Sequence, residues 1–99
     1  MAPSAIPGQL TAELLRSATR VLVESYDELN RSLFKGKLRR PVIAFTERTT
    51  RLGQWHGGER RLEIAEQLLF EHGWGVLVEV LKHEMVHQYV DEVLRLTDE

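Results

Sequence analysis

The sequence predicts an α+β fold with a long N-terminal helix, a small three-stranded sheet and a central helix near the C-terminus. Three observations predict it: helical spacing of apolar residues over 11–34, two short β-type segments around a Gly57-Gly58 pair, and an apolar helical segment over 75–96. A chain of 99 residues is long enough for one domain. We assign that domain to residues 11–99, after a flexible N-terminal segment at 1–10.

The first helix is predicted by an apolar stripe and by the glycine that follows it. Gly36 is the predicted end of this helix. Pro41 then precedes the run Val42-Ile43-Ala44-Phe45, which favours a short buried strand. The members of the stripe share one face at 3.6 residues per turn and are Leu14, Leu15, Ala18, Val21, Leu22, Leu29 and Leu33.

A β-hairpin is predicted around the Gly57-Gly58 turn, beside the first strand. Residues 53–56 precede this turn, and residues 61–65 return from it as the third strand. Residues 66–72 follow as a short helix that Gly73 closes.

The helix predicted over residues 75–96 is apolar on almost every side, which indicates a buried position in the middle of the domain. One sector differs, because His83, Glu84, His87 and Asp91 lie within about 100° of one another on a helical wheel. Titratable groups on a central helix need partners or a cavity, since their unpaired burial costs free energy. This sector is therefore the candidate functional site.

The composition is typical of a globular protein, with 42% hydrophobic and 28% charged residues. No apolar run approaches the roughly 20 residues of a membrane span, and the N-terminus has neither the basic start nor the apolar core of a secretory signal. The lack of cysteine excludes disulfides and thiolate metal ligands. We expect a cytoplasmic protein without a membrane partner.

Charge is distributed unevenly along the chain. Residues 31–61 hold nine basic and two acidic side chains, a net charge of +7, whereas residues 62–99 hold two basic and nine acidic ones, a net charge of −7. The basic stretch is either a solvated face, which is the common case, or a surface for an anionic partner such as DNA. Trp55 is either a half-buried strand aromatic or, less often, a platform for a base. The candidate contacts for an anionic partner are Arg39, Arg40, Arg51, Arg60 and Arg61.

The segment His83-Glu84-Met85-Val86-His87 places two histidines one helical turn apart. Both imidazoles can bind one tetrahedral zinc ion at about 2.0–2.1 Å, which makes His83 and His87 the predicted metal ligands. Glu84 is rotated off the ligand axis and is the predicted general base, because it can take a proton from a zinc-activated water. The pattern predicts a zinc metallopeptidase, a hydrolase of peptide bonds. The plainer interpretation is two core histidines with internal hydrogen bonds.

The third zinc ligand stays open, although a catalytic zinc site normally has three protein ligands and a water. Asp91 lies on the same stripe but about 12 Å from His83 along a straight helix. We assign it either as a hydrogen-bond acceptor for His87 or as a solvated carboxylate. His56 and His72 are further candidates, and nothing in their spacing relates them to the helix.

These features together resemble the SprT-like (Spartan-type) zinc metallopeptidase family, over about residues 20–95. The zinc motif is specific to metallopeptidases broadly, and the flanking segments are moderately specific to this family. One departure is Gln88, where the family often has a small residue. The segments that carry the resemblance are Tyr26 to Asn30, Leu33-Phe34, Gly36, Leu38, Pro41, Thr50-Arg51, Gly53, Leu62, Ile64, Ala65, Leu68-Leu69 and Val80 to His87.

The resemblance implies a minimal zincin-like fold with His83 and His87 as ligands of Zn²⁺, Glu84 as general base, and a peptide substrate along an edge strand. We place that edge strand at Leu62-Glu63-Ile64. The resemblance also implies a third histidine in a downstream loop. We therefore expect these 99 residues to be the front part of a longer protein, and to be inactive if that ligand is missing. Relatives that cleave DNA-attached proteins imply DNA as a partner and a nucleoid or nuclear location.

Two other functions remain open. A non-catalytic module that retains the fold would bind nucleic acid or protein through the basic residues, and its affinity for DNA would fall steeply with salt. A purely structural zinc site is the third hypothesis. Such sites normally have four protein ligands, commonly cysteines, and this chain contains no cysteine.

Overall fold

The computed structural model describes residues 8–47 and 50–97. Its α+β architecture confirms the predicted fold class. Within those two ranges, no helix is both long enough and apolar enough to cross a bilayer. In chain order the elements are helix α1 (Gly8–Phe34), strands β1 (Val42–Thr46), β2 (Gly53–His56) and β3 (Arg61–Ala65), a π-helix (Leu68–His72), helix α2 (Trp74–Glu92) and a 3-10 helix (Leu94–Thr97).

Helix α1 begins at Gly8, so the last residues of the segment predicted to be flexible are already helical. Residues 1–7 of that segment lie outside the described residues. Only the second half of α1 is anchored, since its buried residues are Leu22 and Tyr26. The apolar stripe of the first half stays largely in solvent, with Leu14 45% exposed. The helix ends at Phe34, two residues before the predicted stop at Gly36, where the backbone is left-handed (φ 72°).

The three strands form one sheet in the order β1-β3-β2. Strand β1 pairs with β3 in parallel, and β2 pairs with β3 antiparallel as the predicted hairpin. The central strand is therefore β3, and Leu62 faces Ile43 on one side and Trp55 on the other. The predicted edge strand at Leu62-Glu63-Ile64 is wrong, because the hairpin inserts its second strand beside β1 and leaves β2 at the edge.

The core lies between one face of the sheet and the two helices. Successive side chains of a strand point to opposite faces, so the opposite face of the sheet carries the polar residues His56, Arg61 and Glu63. The buried core residues are Leu22, Tyr26, Leu38, Ile43, Leu62, Ile64, Leu68, Leu77, Leu81 and Met85.

Helix α2 packs against the sheet along one stripe only. The prediction of a helix buried all round is wrong, because Val76, Val86 and Val90 are 45%, 50% and 51% exposed. The helix also ends at Glu92, before the predicted end at Leu96, and continues as a 3-10 helix. Its buried stripe consists of Leu77, Leu81, Glu84, Met85 and Gln88.

Candidate metal centre

His83 and His87 lie on successive turns of α2, and both side chains are exposed. Their Nε2 atoms are 3.2 Å apart, and their rings are nearly perpendicular, at 80°. Two nitrogens bound to one tetrahedral zinc ion at about 2.0–2.1 Å are roughly 3.3 Å apart. The pair therefore has the separation that a shared zinc ion requires. Its exposure contradicts the plainer interpretation of two core histidines.

Glu84 lies where α2 packs against β2, and only 7% of its surface is exposed. A Cβ atom added to Gly53 would lie 3.1 Å from Glu84 Cγ, which shows how closely the strand approaches this side chain. Among the described residues the carboxylate has no hydrogen-bond or ion-pair partner. Glu84 and His83 line a groove of about 410 Å³. A carboxylate in this position can accept a proton from a molecule bound in the groove.

The described ranges contain no group of three or more histidine, aspartate or glutamate side chains that could hold a metal ion. His56 projects from the sheet face opposite α2, where its Nε2 lies 3.1 Å from Glu63 Oε1. His72 is exposed at the end of the π-helix. Neither histidine joins His83 and His87, so the described part of the chain brings two candidate metal ligands together.

Asp91 contacts the hairpin rather than the ligand pair. Its Oδ2 accepts a hydrogen bond from Trp55 Nε1 at 3.0 Å, and its Oδ1 accepts one from Arg95 at 2.8 Å. The predicted hydrogen bond from His87 is not among its contacts. Asp91 therefore connects the end of α2 to the hairpin through its hydrogen bond with Trp55. Trp55 is accordingly a half-buried strand aromatic with its N–H satisfied.

Three of the five predicted anionic-partner contacts, Arg40, Arg60 and Arg61, form ion pairs with carboxylates. Arg40 forms an ion pair with Asp27 on α1. Arg61 donates to Glu63 at 2.8 Å. This hydrogen bond, outweighing the effect of partial burial, holds the pKa of Glu63 below its usual value.

Arg39 and Arg60 share a cleft of about 500 Å³ with Lys37 and Arg95. Arg60 donates to both oxygens of Glu92, at 2.6 and 2.8 Å, and these bonds lower the pKa of that carboxyl. The Arg39 side chain is exposed and makes no hydrogen bond or ion pair with another described residue. The fifth predicted contact, Arg51, lines the separate groove beside Glu84.

The sequence did not predict the role of Gln88, which is fully buried at the centre of a polar network. Its Oε1 accepts a hydrogen bond from the Tyr26 hydroxyl at 2.8 Å. Its Nε2 donates to the Arg39 carbonyl at 2.9 Å and to Glu92 Oε1 at 3.1 Å. Burial raises the pKa of Tyr26 to about 12. The sequence contained one signal for this network, because Gln88 directly follows His87 on a largely apolar helix. A buried amide in such a position needs hydrogen-bond partners.

The model of the SprT-like family matches residues 22–97. The match includes the second half of α1, the whole sheet and both histidines of α2. The chain belongs to the SprT-like family. No curated protein and no solved structure matches the chain.

The SprT-like family is related to metallopeptidases, and the matched region includes His83, Glu84 and His87. The SprT-like motif on α2 carries the two histidines with their Nε2 atoms 3.2 Å apart. Imidazole nitrogen is a preferred ligand of zinc, so the donor type and the separation both fit this metal.

Proposed function

We propose that this SprT-like domain is a zinc-dependent peptidase in which His83 and His87 hold the metal and Glu84 is the general base. The observation that carries the proposal is the histidine pair, with Nε2 atoms 3.2 Å apart, next to a carboxylate that is 7% exposed and unpartnered among the described residues. Zinc, when bound, lowers the pKa of a water and polarises a carbonyl. Glu84 accepts the proton of the attacking water and returns it to the leaving amine.

The edge of β2 is the proposed binding place of the substrate backbone, in place of the predicted Leu62-Glu63-Ile64 segment. In the described sheet, β2 pairs with β3 alone, so its second edge is without a strand partner. An extended peptide can add to such an edge through main-chain hydrogen bonds. Gly53 of this strand touches α2 at Glu84, so a peptide on β2 would run beside the general base.

Two measurements on the parent chain and on two variants test the proposal. They are the zinc content of each chain and its rate of hydrolysis of an unfolded substrate protein. We expect Glu84→Gln to bind zinc as the parent does and to lose hydrolysis by about 10²–10⁴-fold, because it cannot accept a proton. We expect His83→Ala to lose both zinc and hydrolysis. Undiminished cleavage by Glu84→Gln would show that another group is the base.

A non-catalytic anion-binding module is the second candidate function. Two observations support it: the two candidate ligands in the described residues, and the cleft in which Lys37 and Arg39 lie beside the ion pairs Arg60–Glu92 and Arg95–Asp91. Under this hypothesis the chain binds duplex DNA with an affinity that falls steeply with salt. Arg39→Ala weakens that binding, and His83→Ala leaves it unchanged. DNA binding that requires His83 would contradict this hypothesis.

A further inference from the structure

The groove beside Glu84 has apolar walls. Leu52 borders it on the side of the sheet, and Val76 and Val80 border it on α2. Leu52 is 40% exposed and Val76 is 45% exposed. Apolar surface that borders a concave site next to a candidate base is available for burial by a ligand.

Backbone and packing contacts hold the two walls of the groove in place. The Leu52 carbonyl accepts a hydrogen bond from the Ala65 amide at 2.9 Å, which fixes this segment to the end of β3. On the other wall, Val80 Cγ1 would lie 2.8 Å from a Cβ atom added to Gly53. The helix and the strand therefore touch at the base of the groove, and its shape is set before a ligand binds.

Two of the charged residues that line the groove, Arg51 and Glu79, are exposed to water. Glu79 pairs with Lys82 at 2.9 Å and is 71% exposed in its side chain. Arg51 is exposed on the opposite side. An aliphatic substrate side chain between Leu52, Val76 and Val80 would bury apolar surface. A charged one would lose hydration there, and the groove residues Arg51 and Glu79 that could pair with it are exposed to water, where ion pairs contribute little.

We propose that this groove holds an aliphatic side chain of the substrate, from a residue bordering the scissile bond, and that Leu52, Val76 and Val80 set this preference. The inference rests on the proposed peptidase function, which supplies the occupant. Side chains alternate along an extended peptide. A peptide on the edge of β2 would therefore present every second side chain toward α2, and one of these reaches the groove beside Glu84.

Peptide affinity in the zinc-loaded Glu84→Gln chain tests the groove without requiring hydrolysis. The probes are otherwise identical fluorescent peptides whose central residue is leucine, alanine or aspartate. We expect the leucine peptide to bind about 10–100-fold more tightly than the aspartate peptide, the range that a pocket achieves for such differences. Adding Val76→Asp removes this preference. The matched control is Val90→Asp, a valine on the same helix that is 51% exposed and outside the groove, and it keeps the preference.

Cleavage-site mapping of an unfolded protein by the parent chain is the second arm. We expect cuts next to aliphatic residues, and a shift away from them with Val76→Asp. Equal affinity for all three peptides, or a preference that survives Val76→Asp, overturns the groove assignment. A leucine preference without any hydrolysis by the zinc-loaded parent refutes the peptidase function and supports the groove as a binding site for aliphatic peptide residues.

Discussion

Gln88 orients helix α2 through hydrogen bonds to two other segments of the chain. Its amide joins Tyr26 on α1 and the Arg39 carbonyl in the following loop, and it also bonds Glu92 one turn further along α2. The bond to Tyr26 is buried, where the low local dielectric strengthens it, and the other two are partly buried. The network fixes the rotation of the helix immediately after His87, and with it the direction in which the ligand pair faces.

Gln88→Ala is expected to destabilise the fold by about 1–3 kcal/mol, because it removes the buried acceptor of the Tyr26 hydroxyl and one of the donors to the Arg39 carbonyl, which keeps Arg60. Urea unfolding of the purified chain measures the loss. The exposed Gln9, on the first turn of α1, is the matched control, and Gln9→Ala is expected to change stability by less than about 0.5 kcal/mol. Equal stability of the two variants would mean that water replaces the lost amide at no cost.

Strand β2 and helix α2 pack so closely that only glycine fits between them at one position. A Cβ atom at Gly53 would come within 2.8 Å of Val80 Cγ1 and 3.1 Å of Glu84 Cγ. Contacts this short require a shift of the Val80 and Glu84 side chains, or of the strand and the helix that carry these groups. The spacing of these two elements thus determines where the Glu84 carboxylate lies relative to the groove.

Gly53→Ala is therefore expected to lower hydrolysis by at least about tenfold while zinc binding by His83 and His87 persists, because a 1 Å displacement of a catalytic group can cost about 10²-fold. Gly58→Ala is the control, since a Cβ atom at Gly58 has no atom within 4 Å. The turnover number and the zinc content of both variants are the measurements. If Gly53→Ala retains parental turnover, the close packing does not position the base.

At the scale of the whole molecule, part of the uneven charge distribution is used internally. The basic stretch 31–61 and the acidic stretch 62–99 meet where Arg60 of the hairpin turn pairs with Glu92 at the end of α2. A second such pair is Arg61 with Glu63 on the open face of the sheet. Both carboxyl groups are held ionised by their arginine partners, which lower their pKa values. The ionised carboxylates therefore contribute to the stability of the fold.

We expect stability to fall as the pH is lowered below the ordinary carboxyl pKa of about 4.3. Glu92 and Glu63 have folded-state pKa values below their unfolded values, so their contribution is present above the unfolded pKa and is lost as the pH falls through the folded pKa. Glu92→Gln reduces this acid sensitivity. The measurement is the free energy of unfolding in urea, taken from pH 7 down to pH 3, a range of about 4 units that includes that pKa. Glu28→Gln, at a surface pair whose glutamate side chain is 72% exposed, is the control and keeps the parental pH profile.

The sequence by itself determined the elements and the histidine pair. Helical spacing identified α1 and α2, the Gly57-Gly58 pair identified the hairpin, and the four-residue spacing of His83 and His87 placed both side chains on one face of α2. These signals are local, because a helical turn or a tight turn depends on residues close together in the chain. They were sufficient for the α+β class and the family.

Only the tertiary structure decided which strand lies at the edge, which face of α2 is buried and what Asp91 contacts. Each of these depends on pairing between distant segments, and strand order is not encoded in the period of any single strand. The hairpin could place either β2 or β3 beside β1, and the choice of β3 moved the free edge to β2 beside Glu84. Asp91 has the helical spacing of a partner for His87, but the indole N–H of Trp55 reaches it from the sheet.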